Sequence, residues 1–299
     1  MPDPGRRGRR LTGVLAILGP GALGLSAAQW AAECGLEVRL LGRGLDHARR
    51  GLAEVERRWE AAFRKGRLAA EILEQASARI RPAPFGPGAL EGVDILLEAL
   101  PEDPAVKVSA LAAAAAWGGA GLLPLSGTSA LPIADLAAAA GLQGRLLGFH
   151  LFVPVPRMAV VEIAVPPGVS AAQVDRARAL GLALRKRTVV VRDQPGFAAA
   201  RMALAQGLEA MRLLEAGVAS AEDLDALMTL GYGHPVGPLE LSDRVGLDLR
   251  LRIAEGLHRA SGDPRFEPPA ILREKVAEGA TGREAGRGFY TWDPDGRRL

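Results

Sequence analysis

The segment Gly19-Pro20-Gly21-Ala22-Leu23-Gly24 sets three glycines at the spacing that cradles a pyrophosphate. In such a loop the first glycine makes a tight turn, the second lets the backbone approach the phosphates, and the third lets a helix pack on a strand. The phosphates then rest on a helix N-terminus, where unpaired N–H groups and the macrodipole favour anions. A site of this kind for NAD usually carries Asp or Glu at the end of the second strand, for the ribose hydroxyls. Here that end reads Leu41-Gly42-Arg43. A small residue followed by arginine suits a 2′-phosphate, because guanidinium pairs with phosphate bidentately. The expected cofactor is therefore NAD(P), with NADP favoured and NAD the alternative; a solvated surface Arg43 is the competing reading. His47, His234 and His258 show no paired ligand spacing, so no metal site is expected.

These residues need a frame to hold them, and the hydrophobic pattern supplies one. Val14–Leu18 is a short apolar run ending at glycine, as a buried parallel strand does. Ala22–Cys34 has helical composition and stops at Gly35. Further strands are predicted at 38–41, 93–98, 121–125, 147–152, 160–165 and 188–191. Helices are predicted at 46–65, 104–117 and 170–184. Strands alternating with helices predict an α/β fold, a doubly wound Rossmann sheet. Beyond Pro195 the pattern becomes helical, over 197–215, 221–230, around 241–260 and 269–278, with no convincing strand. The expected organisation is a disordered basic tail at 1–12, an NAD(P)-binding Rossmann domain at 13–193, and an all-α substrate and dimerisation domain at 194–299.

Composition narrows the function classes. With 48% hydrophobic residues but only 4% aromatic ones, a large core is available and must be built mostly from Ala, Leu and Val. The net charge of +3 is small, and Arg6, Arg7, Arg9 and Arg10 carry much of it, which argues against a nucleic-acid surface. Arg9-Arg10 before Leu11–Leu25 imitates a twin-arginine or secretory signal. The glycine spacing instead continues into a βαβ unit, so a basic tail before the first strand is expected. No other apolar run is long enough to span a membrane. The single cysteine, Cys34, permits no internal disulfide and fits a reducing cytoplasm.

Longer motifs add a resemblance. Ser126-Gly127-Thr128-Ser129-Ala130-Leu131-Pro132-Ile133, Gly148-Phe149-His150-Leu151-Phe152-Val153-Pro154-Val155-Pro156 and Val160-Val161-Glu162-Ile163 closely resemble the short-chain 3-hydroxyacyl-CoA dehydrogenase family. Pro195-Gly196-Phe197, the stretch from Gly231 to Asp248, and Gly286-Arg287-Gly288-Phe289-Tyr290 extend the resemblance over almost the whole chain. It implies a histidine general base held by a glutamate, with a serine near the substrate oxygen: His150, Glu162 and Ser129. Oxidising an alcohol by hydride transfer requires removal of the hydroxyl proton. Imidazole does this near neutral pH, and a carboxylate partner fixes its tautomer. On its own, a lone His150 reads more often as structural. The resemblance also implies cofactor contacts at Glu102 and Lys107, for which a helix-start acid and a solvated lysine are the alternative. Arg50, Arg64 and Lys65 match the segment that contacts CoA phosphates, with a solvated helix face as the alternative. The implied substrate is an acyl-CoA or acyl-carrier thioester, and the implied assembly a homodimer through the C-terminal helices.

The chain departs from that pattern at Gly127, Val153 and Ala200, where the family usually carries Asn; the whole sequence contains no Asn. Ala200 matters most, because the family's Asn there contacts the substrate near the reacting carbonyl. Losing such a contact costs a few kcal/mol of transition-state stabilisation. An unusual substrate, slow turnover, or retained binding without catalysis would each fit. The competing functions are a dehydrogenase of a free hydroxy acid, similar to gulonate dehydrogenase and lambda-crystallin, and a non-catalytic dinucleotide-binding protein.

Overall fold

The structure, a computed structural model, describes residues 13–299; the expected basic tail at 1–12 lies outside them. Contacts divide the chain into two compact units, one ending at Gln194 and the other spanning Pro195–Leu299.

In the first unit the elements run β1 (Val14–Leu18), α1 (Ala22–Glu33), β2 (Val38–Gly42), α2 (Leu45–Arg64), α3 (Ala70–Arg79), β3 (Ile80–Pro84), β4 (Val93–Glu98), α4 (Pro104–Trp117), β5 (Leu123–Ser126), α5 (Ile133–Ala139), β6 (Leu147–Leu151), β7 (Val160–Val165), α6 (Ala171–Ala183) and β8 (Arg187–Arg192). They form one eight-stranded sheet in the order β3-β2-β1-β4-β5-β6-β7-β8. It is the doubly wound sheet of a Rossmann fold, parallel except where β6 meets β7. The central strands are apolar on both faces because both are covered. Leu15, Ile17, Ile95 and Leu97 pack into one buried cluster, and their alternates Ala16, Leu18 and Leu96 into another. Helix α2 is amphipathic, burying Ala48, Gly51, Val55 and Trp59 at helical spacing.

Two segments of this unit escape the hydrophobic pattern. Strand β3 reads Ile-Arg-Pro-Ala-Pro, and proline cannot donate to a ladder; it survives because β3 is the edge strand, paired only with β2. Helix α5 has no cap of its own. The carboxylate of Asp193, about sixty residues later in the chain, accepts from Ile133 N at 3.0 Å and Ala134 N at 2.7 Å.

The second unit is helical: α7 (Ala199–Glu215), α8 (Ala221–Ala226) running into a π-helical turn at Leu227–Gly231, α9 (Pro238–Val245), α10 (Leu247–Ser261) and α11 (Ala270–Ala277). The predicted helical stretch around 241–260 is broken at Gly246, whose φ of 100° only glycine adopts readily. Isolated bridges pair Gly282 with Arg287, Arg287 with Thr291, and Trp292 with Arg298 near the C-terminus. Among the described residues, no helix is long and apolar enough to cross a membrane. No group of three or more His, Cys, Asp or Glu side chains is arranged for a metal among them either.

Candidate active site

The glycine loop lies at the C-terminal end of β1, beside a cleft of about 1230 Å³ that also reaches Arg43, His47, Phe85, Leu100 and Trp117. Doubly wound sheets bind ligands at this end of their strands. Gly19 has φ 107°, and a Cβ on it would come 2.7 Å from Ala99 O. A Cβ on Gly24 would lie 1.9 Å from Gly19 O, so helix α1 packs this close only on glycine. Gly21 differs. It caps α1 without any side-chain hydrogen bond, and a Cβ there would meet no protein atom within 4 Å. The start of α1 thus borders open space, and a helix N-terminus favours an anion there. Ala22 and Leu23 line the same cleft.

At the ribose end the missing acid has a steric cause. A Cβ on Gly42 would sit 2.7 Å from Ala48 N and 3.2 Å from Ala48 Cα, because α2 begins directly above it. Arg43 is exposed at the rim, and its N–H donates to His47 Nδ1 at 3.4 Å. That bond assigns the remaining hydrogen of a neutral His47 to Nε2.

His150 and Glu162 face each other across the antiparallel ladder of β6 and β7, in direct register. Opposed residues project to the same face of a sheet, so the pairing follows from strand register alone. His150 Nδ1 lies 3.1 Å from Glu162 Oε2, with the two residues 7% and 3% exposed. The imidazole packs on Phe152, with ring centroids 4.5 Å apart. The eight-residue connection through Val155–Arg157 is too short for a parallel crossover, which is why these two strands run antiparallel.

Ser129 stands exposed on the turn after β5. Its N–H donates to Glu102 Oε1 at 3.0 Å, as does Ala130 N at 3.3 Å, while Thr128 Oγ1 donates to the same oxygen. Glu102 Oε2 lies 3.2 Å from Lys107 Nζ. Lys107, on α4, is 1% exposed and not solvated. Its ammonium also reaches Glu98 Oε1 at 2.8 Å and Leu100 O at 3.1 Å, which accounts for its three protons. Glu98 is the residue that sequence reasoning passed over. It is fully buried, and a carboxylate closing the apolar run Ile95-Leu96-Leu97 was the signal that marked it.

The remaining candidates scatter. Arg50 and Lys65 are exposed, one in the second turn of α2 and the other just past its end. At about 1.5 Å rise per residue they stand roughly 20 Å apart along the helix. Ala200 is the second residue of α7 in the helical unit. Gly127 has no room for the family's Asn: a Cβ would come within 2.8 Å of both Glu98 O and a Leu23 methyl. Val153 is 53% exposed, so no steric demand excludes Asn there.

A Rossmann sheet with an open phosphate loop and a buried His–Glu pair on adjacent strands defines a dinucleotide-dependent oxidoreductase. Residues 14–194 match the model of the 3-hydroxyacyl-CoA dehydrogenase NAD binding domain, and residues 196–292 that of the same family's C-terminal domain. The chain belongs to the 3-hydroxyacyl-CoA dehydrogenase family. It is 33% identical to the mitochondrial hydroxyacyl-coenzyme A dehydrogenase of Sus scrofa, over 93% of this chain and 90% of that protein. It is 31% identical to a 3-hydroxybutyryl-CoA dehydrogenase of Mycobacterium tuberculosis, over 93% and 98%. The crystal structure of (S)-3-hydroxybutyryl-CoA dehydrogenase from Ralstonia eutropha superposes with a TM-score of 0.89 at 34% identity, covering 94% of this chain and 99% of that one.

Proposed function

We propose that this protein interconverts a (3S)-3-hydroxyacyl-CoA and the corresponding 3-oxoacyl-CoA, with NADP(H) as the favoured cofactor. The observation that carries the reading is the register pairing of His150 with Glu162 at 3.1 Å. A bound nicotinamide supplies hydride acceptance, and the chain's own groups must then handle the proton. His150 takes the substrate hydroxyl proton in oxidation and returns it in reduction. Glu162 orients the ring and stabilises the imidazolium. Ser129 donates a hydrogen bond to the substrate oxygen, on a turn fixed by Glu102. Gly19, Gly21, Ala22, Leu23 and Gly24 hold the pyrophosphate.

The preference for NADP rests on Gly42 and Arg43. No carboxylate fits at position 42, and the guanidinium beside it suits a 2′-phosphate. Arg50 and Lys65 are too widely spaced to share one CoA phosphate, so each would serve a different part of that ligand. Pairing of two copies through the helical unit agrees with the large exposed side chains there: Met202, Leu230 and Tyr232 are 72%, 87% and 79% exposed. The loss of Asn at Ala200 favours a substrate that differs from acetoacetyl-CoA in the groups next to its carbonyl.

A matrix of acetoacetyl-CoA, longer 3-oxoacyl-CoA thioesters and free acetoacetate against NADPH and NADH tests this. Turnover of a thioester, faster with NADPH, is expected. Turnover of the free acid alone, or tight dinucleotide binding with no turnover of any acyl-CoA, contradicts it.

A further inference from the structure

We propose that Glu98 is a positioning residue for the reaction, acting through Lys107 and Glu102 on the turn that carries Ser129. The inference rests on the reading of Ser129 as the group beside the substrate oxygen. Glu98 closes β4 inside the sheet and is 0% exposed, where an unpaired carboxylate is strongly disfavoured. One oxygen accepts from Lys107 Nζ at 2.8 Å and from Leu100 N at 2.7 Å; the other accepts from Ser126 Oγ at 2.6 Å. Both flanks of the site are thereby tied to one carboxylate: Leu100 lines the dinucleotide cleft, and Ser126 ends the strand from which the Ser129 turn departs.

Lys107 passes the constraint outward. Held at Glu98, its ammonium lies 3.2 Å from Glu102 Oε2, and the other oxygen of Glu102 gathers Thr128 Oγ1, Ser129 N and Ala130 N. Glu102 is 39% exposed in its side chain and would otherwise sample several rotamers in water. Pairing with a buried, immobile ammonium fixes it, and three donors from the turn then have one place to go. Glu98 meets no reacting atom. Its effect is geometric, setting where the Ser129 hydroxyl stands.

The test uses the full-length protein carrying Glu98→Gln, read by amide hydrogen exchange over residues 126–133 and by kcat and KM with a 3-oxoacyl-CoA. The relay predicts faster exchange at Ser129 and Ala130 with strands β1 and β7 unchanged. It also predicts a kcat reduced roughly 10- to 100-fold, the scale of a misplaced catalytic contact. In a Ser129→Ala background that loss should largely vanish, because the serine it acts through is gone; a role in stability alone would leave the two effects additive. Should Glu98→Gln fail to fold, Glu98→Asp, which keeps the charge and shortens the reach, carries the same readouts. Unchanged exchange at Ser129 and Ala130, or full additivity with Ser129→Ala, overturns the proposal. Absence of acyl-CoA turnover in the wild type counts against the proposed function alone, since the exchange readout still decides the relay.

Discussion

In the sheet unit the buried carboxylates of Glu98 and Glu162 each face an ionisable side chain, Lys107 at 2.8 Å and His150 at 3.1 Å. In the helical unit two equally buried carboxylates, Asp225 and Asp243, are held instead by neutral donors: backbone N–H groups, the Tyr290 hydroxyl and the Trp292 indole. Asp225 accepts from Leu239 N, Glu240 N and Tyr290 Oη, which caps the start of α9 and anchors the C-terminal segment. Asp243 accepts from Phe289 N, Tyr290 N and Trp292 Nε1. The cost of burying an anion is met in both units, by opposite means. A partner that can exchange a proton or a charge turns the acid toward chemistry. Fixed neutral donors turn it toward architecture, and Asp243 and Asp225 act as two clasps on the last turns of the chain.

That contrast can be broken in order of expected effect. Glu162→Gln should lower kcat by roughly a thousandfold while the melting temperature barely moves, because it removes the carboxylate proposed to orient the general base. A comparable loss of stability with little loss of kcat would place Glu162 among the architectural acids. Asp243→Ala should do the reverse. It strands three donors, and about 2–3 kcal/mol of unfolding free energy should be lost in urea titrations, with kcat per folded molecule retained. Arg43→Ala should raise KM for NADPH by roughly tenfold and leave KM for NADH nearly unchanged, the worth of one charge-assisted contact. Equal effects on both cofactors would refute the 2′-phosphate assignment.

The smallest effect concerns pH. Burial pushes the Asp243 carboxyl above its ordinary value, against the opposing pull of the N–H groups of Phe289, Tyr290 and Trp292. A carboxyl raised in the folded state contributes most to stability below its ordinary pKa, and that contribution is lost as pH rises through the raised value. Asp243→Asn, which does not titrate, should therefore flatten this part of the stability curve across the acidic range. A curve that keeps its slope in the variant assigns the slope to other groups.

The two halves of the comparison were unequally legible in the sequence. The glycine loop and the central strands lie in short windows whose residue types state their use, whereas the pairing of His150 with Glu162 came from the family resemblance, since a lone histidine reads more often as structural. The doubly wound class followed from strands alternating with helices, while strand β3 and the antiparallel setting of β7 did not. What escaped was set by distant partners. Helix α5 takes its cap from Asp193, and β3 tolerates its prolines only because it ends on the sheet edge. Lys107 read equally well as solvated, since nothing local shows that Glu98 waits for it across the turn. Gly42 read as a lost acid, whereas contact with the backbone of Ala48 shows a position closed to any side chain.

In the proposed reaction His150 is the group that moves the substrate proton. Single-turnover oxidation of NADPH by saturating 3-oxoacyl-CoA, followed in wild type and in His150→Ala, measures that step apart from product release. The expected result is a hydride-transfer rate lower by roughly 10²- to 10⁴-fold in the variant, with dinucleotide affinity preserved. A rate within a few-fold of wild type would contradict it.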